Sequence, residues 1–223
     1  MALARRYLLL VVLVWLCAAL HLFAQDNTPK YSNEFLNLGV GGRAMGMGNT
    51  QVAITEDVNS SYWNPAGLTD ITRKYEISLM HASYFAGIAN YDYIGFATPI
   101  DSLSYIGGSI IRFAVDDIPD TRYLYDANGA INYNNIRFFT AADYAFLVSY
   151  ARKFPKLKNL SLGGNFKIVH RRVGEFANAW GFGVDIGAKI ILKKWYLGAM
   201  FRDVFGTFNA WSHNSELVAD VYA

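Results

Sequence analysis

From Tyr75 onward, apolar and polar positions alternate in stretches of about ten residues, a period of two that sends successive side chains to opposite faces of a strand. The clearest pair is 159–170 and 181–192. In the first, Leu160, Leu162, Phe166 and Ile168 share one face while Ser161, Gly163, Asn165 and Lys167 share the other. In the second, Phe182, Val184, Ile186, Ala188 and Ile190 oppose Gly183, Asp185, Gly187 and Lys189. The same alternation predicts strands at 75–85, 91–100, 104–115, 142–152 and 195–205. Weakly alternating segments of this length are the signature of a transmembrane β-barrel.

A lysine on the lipid face at mid-bilayer costs about 2–4 kcal/mol, so the polar face, with Glu76, Asn165, Lys167, Asp185 and Lys189, is expected to line a lumen. A soluble sandwich also alternates, but it turns its apolar face to a core. Two features favour the barrel. Aromatic residues collect near strand ends, as Tyr144, Tyr150, Trp180, Trp195 and Tyr196 do, matching interfacial girdles. The polar face also carries glycine more than the long charged side chains of a solvated surface.

The connections at 101–103, 153–158 and 193–194 are short, while 116–141 and 172–180 are longer; short turns belong to the periplasmic end and long loops to the outside. The expected fold is therefore all-β, a transmembrane antiparallel β-barrel whose strands occupy 73–206, with 207–223 beginning an extracellular loop. Seven strands leave the chain outside, and a bacterial barrel closes on an even number without a free edge in lipid. The sequence is thus expected to be an N-terminal portion of a longer barrel. A strand hidden within 116–141 would instead make eight and a small closed barrel.

Residues 1–24 carry Arg5 and Arg6, an apolar run over 7–20, and the small Ala24 before Gln25. The run is shorter than the roughly 20 residues of a spanning helix, so it reads as a cleavable secretory signal. The single cysteine, Cys17, falls inside it. The mature chain would hold no thiol, which excludes disulfides, thiolate metal sites and a cysteine nucleophile. Without Arg5 and Arg6, 18 Lys+Arg stand against 18 Asp+Glu. That neutral balance removes the case for a nucleic-acid partner.

Between signal and strands, residues 25–72 hold two motifs. Gly39-Val40-Gly41-Gly42-Arg43-Ala44 fits the dinucleotide fingerprint formally, but no buried strand precedes it and Gly46 and Gly48 interrupt the helix that should follow. These glycines serve better as points of tight bending against a wall. Tyr62-Trp63-Asn64-Pro65-Ala66-Gly67-Leu68 sets a turn dipeptide between apolar anchors, since the residue before proline is driven out of the helical region. Together they suggest a compact plug. His21, His81, His170 and His213 lack metal-ligand spacing, and no G-x-S-x-G elbow or Ser/His/Asp set occurs. No catalytic residue, metal or cofactor is expected.

Phe35-Leu36-Asn37-Leu38-Gly39, Arg43-Ala44-Met45-Gly46-Met47-Gly48 and Trp63-Asn64-Pro65-Ala66-Gly67-Leu68 resemble the N-terminal signature of the PorV/PorQ family of outer-membrane proteins, relatives of the FadL long-chain fatty-acid transporters. The resemblance is specific over 32–68 and architectural beyond. It implies a FadL-like barrel of fourteen strands with an N-terminal hatch, of which seven strands are half, in the outer membrane of a Gram-negative bacterium. It places Asn37, Gly39, Arg43, Gly46, Gly48, Asn64, Pro65 and Ala66 in the hatch. The implied activity is non-enzymatic: type IX protein secretion or surface attachment, with secretion components and the C-terminal signal domains of cargo as partners besides outer-membrane lipids. The alternative is a FadL-type transporter for hydrophobic small molecules, a ligand or detergent occupying the lumen near Met80, Leu147 and Met200. An adhesive barrel presenting 116–141 is a third reading.

Overall fold

The structure, a computed structural model, describes residues 33–126, 128–157 and 160–215. The expected signal at 1–24 lies outside these residues, and so does the first part of the 25–72 segment. From Phe35 onward the chain forms one compact unit.

The strands are β1 Glu76–Tyr84, β2 Ala89–Pro99, β3 Ser104–Asp120, β4 Arg137–Phe154, β5 Leu160–Val173, β6 Ala177–Leu192, β7 Trp195–Phe201 and β8 Phe208–His213. β1 to β7 pair with their neighbours in chain order, and β8 pairs with β6. β7 covers residues 186–192 of β6 and β8 covers 177–182. β7 and β8 are therefore two halves of one seventh stave, broken at 202–207. The protein is mostly β, an open, curled half-barrel sheet of seven antiparallel staves.

Three expectations about connections are corrected. The stretch 207–223, read as a loop, contains β8; its residues 216–223 lie outside the described residues. The long loop at 172–180 is a turn at 174–176, because β5 and β6 pair as far as Val173 and Ala177. Phe139 packs edge to face on Phe176, with ring centres 5.2 Å apart, and seats that turn. The loop at 116–141 shrinks to 121–136, since pairing resumes after a bulge between Val115 and Ile118 and continues to Asp120 and Arg137. Apolar alternation fades in all three places, while backbone pairing, which ignores side-chain polarity, does not.

Register sorts the two faces into rows. Leu79, Ile94, Ile110, Phe146, Ile168 and Phe182 are successive cross-strand partners on the outer face. Gly95, Ser109, Leu147, Lys167 and Gly183 form such a row on the inner face, with Ala97, Gly107, Ser149, Asn165 and Asp185 beside it. The polarity is inverted relative to a sandwich: Leu79 is 73% exposed outside while Lys167 is 2% exposed inside.

The N-terminal segment fills the inner face. It comprises the short helices α1 Gly42–Gly46 and α2 Ser60–Trp63 and a 3-10 turn, Pro65–Asp70. Asn64 is extended, with φ −164° and ψ 105°, and so ends α2; the following proline forbids a helical residue there and pre-sets φ for the first position of the next turn. Phe35, Leu36, Val40, Tyr62 and Trp63 pack on Tyr91, Tyr93, Ile111 and Val169 of the sheet. Each such side chain buried from water contributes about 1.5–3 kcal/mol, so the segment belongs to the core.

Candidate functional site

The most enclosed part of the segment is Asn64-Pro65-Ala66. The Asn64 amide oxygen accepts from the Ala66 backbone N–H at 3.1 Å, capping the 3-10 turn. Its amide nitrogen faces carbonyls of three elements: Val52 at 2.8 Å, Ala188 on β6 at 3.1 Å and Ala199 on β7 at 3.4 Å. One fully buried side chain thus joins the turn to two staves. An amide suits this place because it both donates and accepts.

The wall admits the turn through missing side chains. A Cβ on Gly163 would stand 2.5 Å from the Ala66 nitrogen and 2.6 Å from the Pro65 carbonyl carbon. On Gly187 it would fall on the Asn64 amide oxygen, and on Gly198 it would stand 2.5 Å from the Val52 carbonyl oxygen. Glycines on β5, β6 and β7 together form the groove in which the segment's backbone lies.

Beside the groove sit the inner-face charges. Lys167 reaches Asp185 at 2.8 Å and Asp203 at 2.7 Å. Lys189 reaches Asp70 at 2.8 Å and the Thr55 carbonyl at 2.5 Å, so the wall holds the segment by charge as well. Lys153 approaches the same Asp70 at 3.7 Å. Asn165 donates to the Ser61 carbonyl at 2.8 Å. Glu76, at the β1 edge, accepts from the Val58 N–H at 3.1 Å. All five polar residues expected on one face therefore lie on the inner side: Glu76, Asn165 and Lys189 bond the segment, while Lys167 and Asp185 pair with each other beside it. Four of them, Asn165, Lys167, Asp185 and Lys189, are buried. Buried charges demand such partners, because desolvation alone costs several kcal/mol per ion.

The upper end of the segment is held through Tyr62. Its hydroxyl donates to the Leu36 carbonyl and accepts from the Gly39 N–H, while the Trp63 ring N–H donates to the Val40 carbonyl at 2.9 Å. Gly39 takes φ +99°, a conformation side-chain-bearing residues rarely adopt. Arg202 bonds the Leu36 and Tyr62 carbonyls at 3.4 and 3.3 Å, and its guanidinium lies 5.0 Å from the Tyr62 ring centre. Burial pushes the Tyr62 pKa up, against the lowering effect of Arg202.

The remaining motif residues divide. Asn37 meets Arg202 at 3.4 Å. Arg43 pairs loosely with Glu56 at 3.5 Å on an exposed surface, bordering a cleft of about 540 Å³ shared with Asp57, Asp70 and Glu76. Gly46 and Gly48 face open space, so packing does not explain them, although Gly48 has φ +63°. Met80 packs against the apolar cluster and Leu147 lies in it, while Met200 pairs with Gly187. Arg202, Asp203, Asp70 and Lys153 escaped the sequence reading. The first two lie within the strand expected at 195–205, which in the structure ends at Phe201, and the others acquire a role only through distant partners. Among the described residues, no three His, Cys, Asp or Glu side chains gather to hold a metal.

Fold and site together define a mostly β protein whose half-barrel sheet clasps an N-terminal segment on a polar inner face. The chain belongs to the uncharacterised protein family UPF0164, whose model matches residues 17–183. No curated protein matches it. The family's description says nothing of PorV or PorQ, and that finer relationship is a proposal.

Proposed function

We propose that the protein is a non-enzymatic outer-membrane β-barrel of PorV/PorQ type, a platform for type IX secretion or surface attachment of cargo in a Gram-negative bacterium. The observation that carries this reading is the inversion of the sheet: outer rows of exposed Leu, Ile and Phe, with Lys167, Asp185 and Lys189 buried inside. That is the distribution lipid requires, since the bilayer takes the place of a core and charge must turn away from it. Among the described residues, β1 and the β7/β8 stave pair on one side only, which supports a larger barrel, because an open edge in lipid leaves backbone groups unsatisfied. Fourteen strands would close such a sheet, with residues 25–72 as its hatch.

In this role the protein contacts outer-membrane lipids, other secretion components and the C-terminal signal domains of cargo. Affinity capture of the protein from detergent-solubilised outer membranes should recover secretion components or cargo, and its deletion should retain cargo inside the cell. Recovery in the soluble fraction, or normal secretion after deletion, overturns the proposal.

The apolar cluster of Tyr91, Tyr93, Ile111 and Val169 on the inner face supports a second reading, a FadL-type passage for hydrophobic small molecules. The segment's own Phe35, Val40 and Trp63 fill that cluster, so a ligand would have to displace them. Saturable binding of a hydrophobic probe, weakened by substitutions at Tyr91 or Ile111, distinguishes this reading.

A further inference from the structure

The break in the seventh stave is a built feature. Gly183, Val184 and Asp185 of β6 face the whole of segment 202–207, which loops out between β7 and β8. The loop is nevertheless bonded: the Asp203 N–H donates to Asp185 at 2.9 Å and the Val204 N–H to the Val184 carbonyl at 2.9 Å. Asp203 has φ +53°, a left-handed conformation that strains a non-glycine residue and persists only where its surroundings hold it.

The two residues at the start of the break face different partners. Arg202 holds the N-terminal segment through the Leu36 and Tyr62 carbonyls, the Asn37 amide oxygen and the Tyr62 ring. Asp203 holds the wall through Lys167 and Asp185, and accepts from Thr207 within the loop itself. Gly183 makes room for this, since a Cβ there would stand 2.6 Å from Lys167 Cε and 2.8 Å from the Asp203 carboxylate. A regular strand also sends neighbouring side chains to opposite faces. Here the left-handed turn lets both serve the inner side.

We infer that Arg202 and Asp203 form a two-sided clasp, through which seating of the N-terminal segment and the shape of the seventh-stave break are one event. Loss of the Asp203 anchor lets the loop relax from its strained conformation and withdraws Arg202 from the segment. Departure of the segment deprives Arg202 of its bonds and loosens the loop from β6. Release of the inner segment is thereby tied to a change in the wall at the sheet's edge. The inference stands on this geometry, whether or not the sheet lies in lipid.

Hydrogen exchange on the full chain in detergent micelles tests the clasp from both sides. Asp203→Asn alters a wall contact, yet it should speed exchange at the Gly39 amide about tenfold, as a local opening does, while β3–β5 amides keep their protection. Arg202→Lys alters a segment contact, yet it should speed exchange at the Asp203 and Val204 amides. The double variant should add less than the two single effects combined. If Asp203→Asn fails to fold, the Arg202→Lys measurement decides alone. Wild-type protection at Gly39 in a folded Asp203→Asn, or at Asp203 and Val204 in Arg202→Lys, overturns the inference.

Discussion

Gly187 and Asn64 share one volume: the amide oxygen of Asn64 stands where a Cβ on Gly187 would have to go. The contact joins residues far apart in sequence and fixes how deeply the N-terminal turn enters the groove. Gly187→Ala should therefore unseat Asn64 and destabilise the fold by about 1–3 kcal/mol, the usual cost of overpacking. Gly163→Ala should act in the same direction against backbone. Gly46→Ala, which meets open space, should stay within about 0.5 kcal/mol of the wild type. Urea unfolding in micelles ranks the three.

Asn64 both accepts from Ala66 and donates to strand carbonyls. Asn64→Ala leaves buried polar groups unpaired and should cost about 1–3 kcal/mol. Asn64→Asp keeps the acceptor but sets a carboxylate beneath the Ala188 and Ala199 carbonyls. It should be at least as damaging at pH 7 and should recover as acid protonates the new side chain, since only the protonated form donates. Unfolding midpoints across pH 4–8 check the sign.

Removing Lys167 strands Asp185 and Asp203 without their cation. Lys167→Met should destabilise by about 3–5 kcal/mol. Adding Asp185→Asn and Asp203→Asn should restore part of the loss, because neutral amides are cheaper to bury than unpaired charges. Salt should change the Lys167–Asp185 part of these differences little, since that pair is buried, and the half-buried Asp203 part more. A thermal-unfolding series over ionic strength measures both effects.

The outer face offers a direct test of its surroundings. Phe166 is 48% exposed in the apolar rows. If lipid covers it, Phe166→Arg should lower stability in phospholipid vesicles by about 2–4 kcal/mol. On a water-facing sheet the same change would stay within about 0.5 kcal/mol. Vesicle folding titrations separate these outcomes.

Much of the sheet is legible in the chain because alternation is a local property. The faces of 159–170 and 181–192 follow from counting by two, and the inward Asn165, Lys167, Asp185 and Lys189 from their polarity. Local pattern failed where polarity no longer tracks pairing. β8 follows a bonded loop that resembles the end of a strand, and the tight turn at 174–176 lies among arginines and small residues without alternation.

Local pattern is enough to foretell that antiparallel strands form, which side chains share a face, and that Asn64-Pro65 interrupts the segment before them. Each depends on neighbours within a few residues: a two-residue period, or a proline's steric demand. The alignment of Gly163, Gly187 and Gly198 into a groove, the meeting of Lys189 with Asp70, and the grip of Arg202 on the segment and Asp203 on the wall arise in the folded chain alone. Those relationships depend on strand register and on the curl of the sheet, which bring distant residues within hydrogen-bond reach and leave no period in the chain.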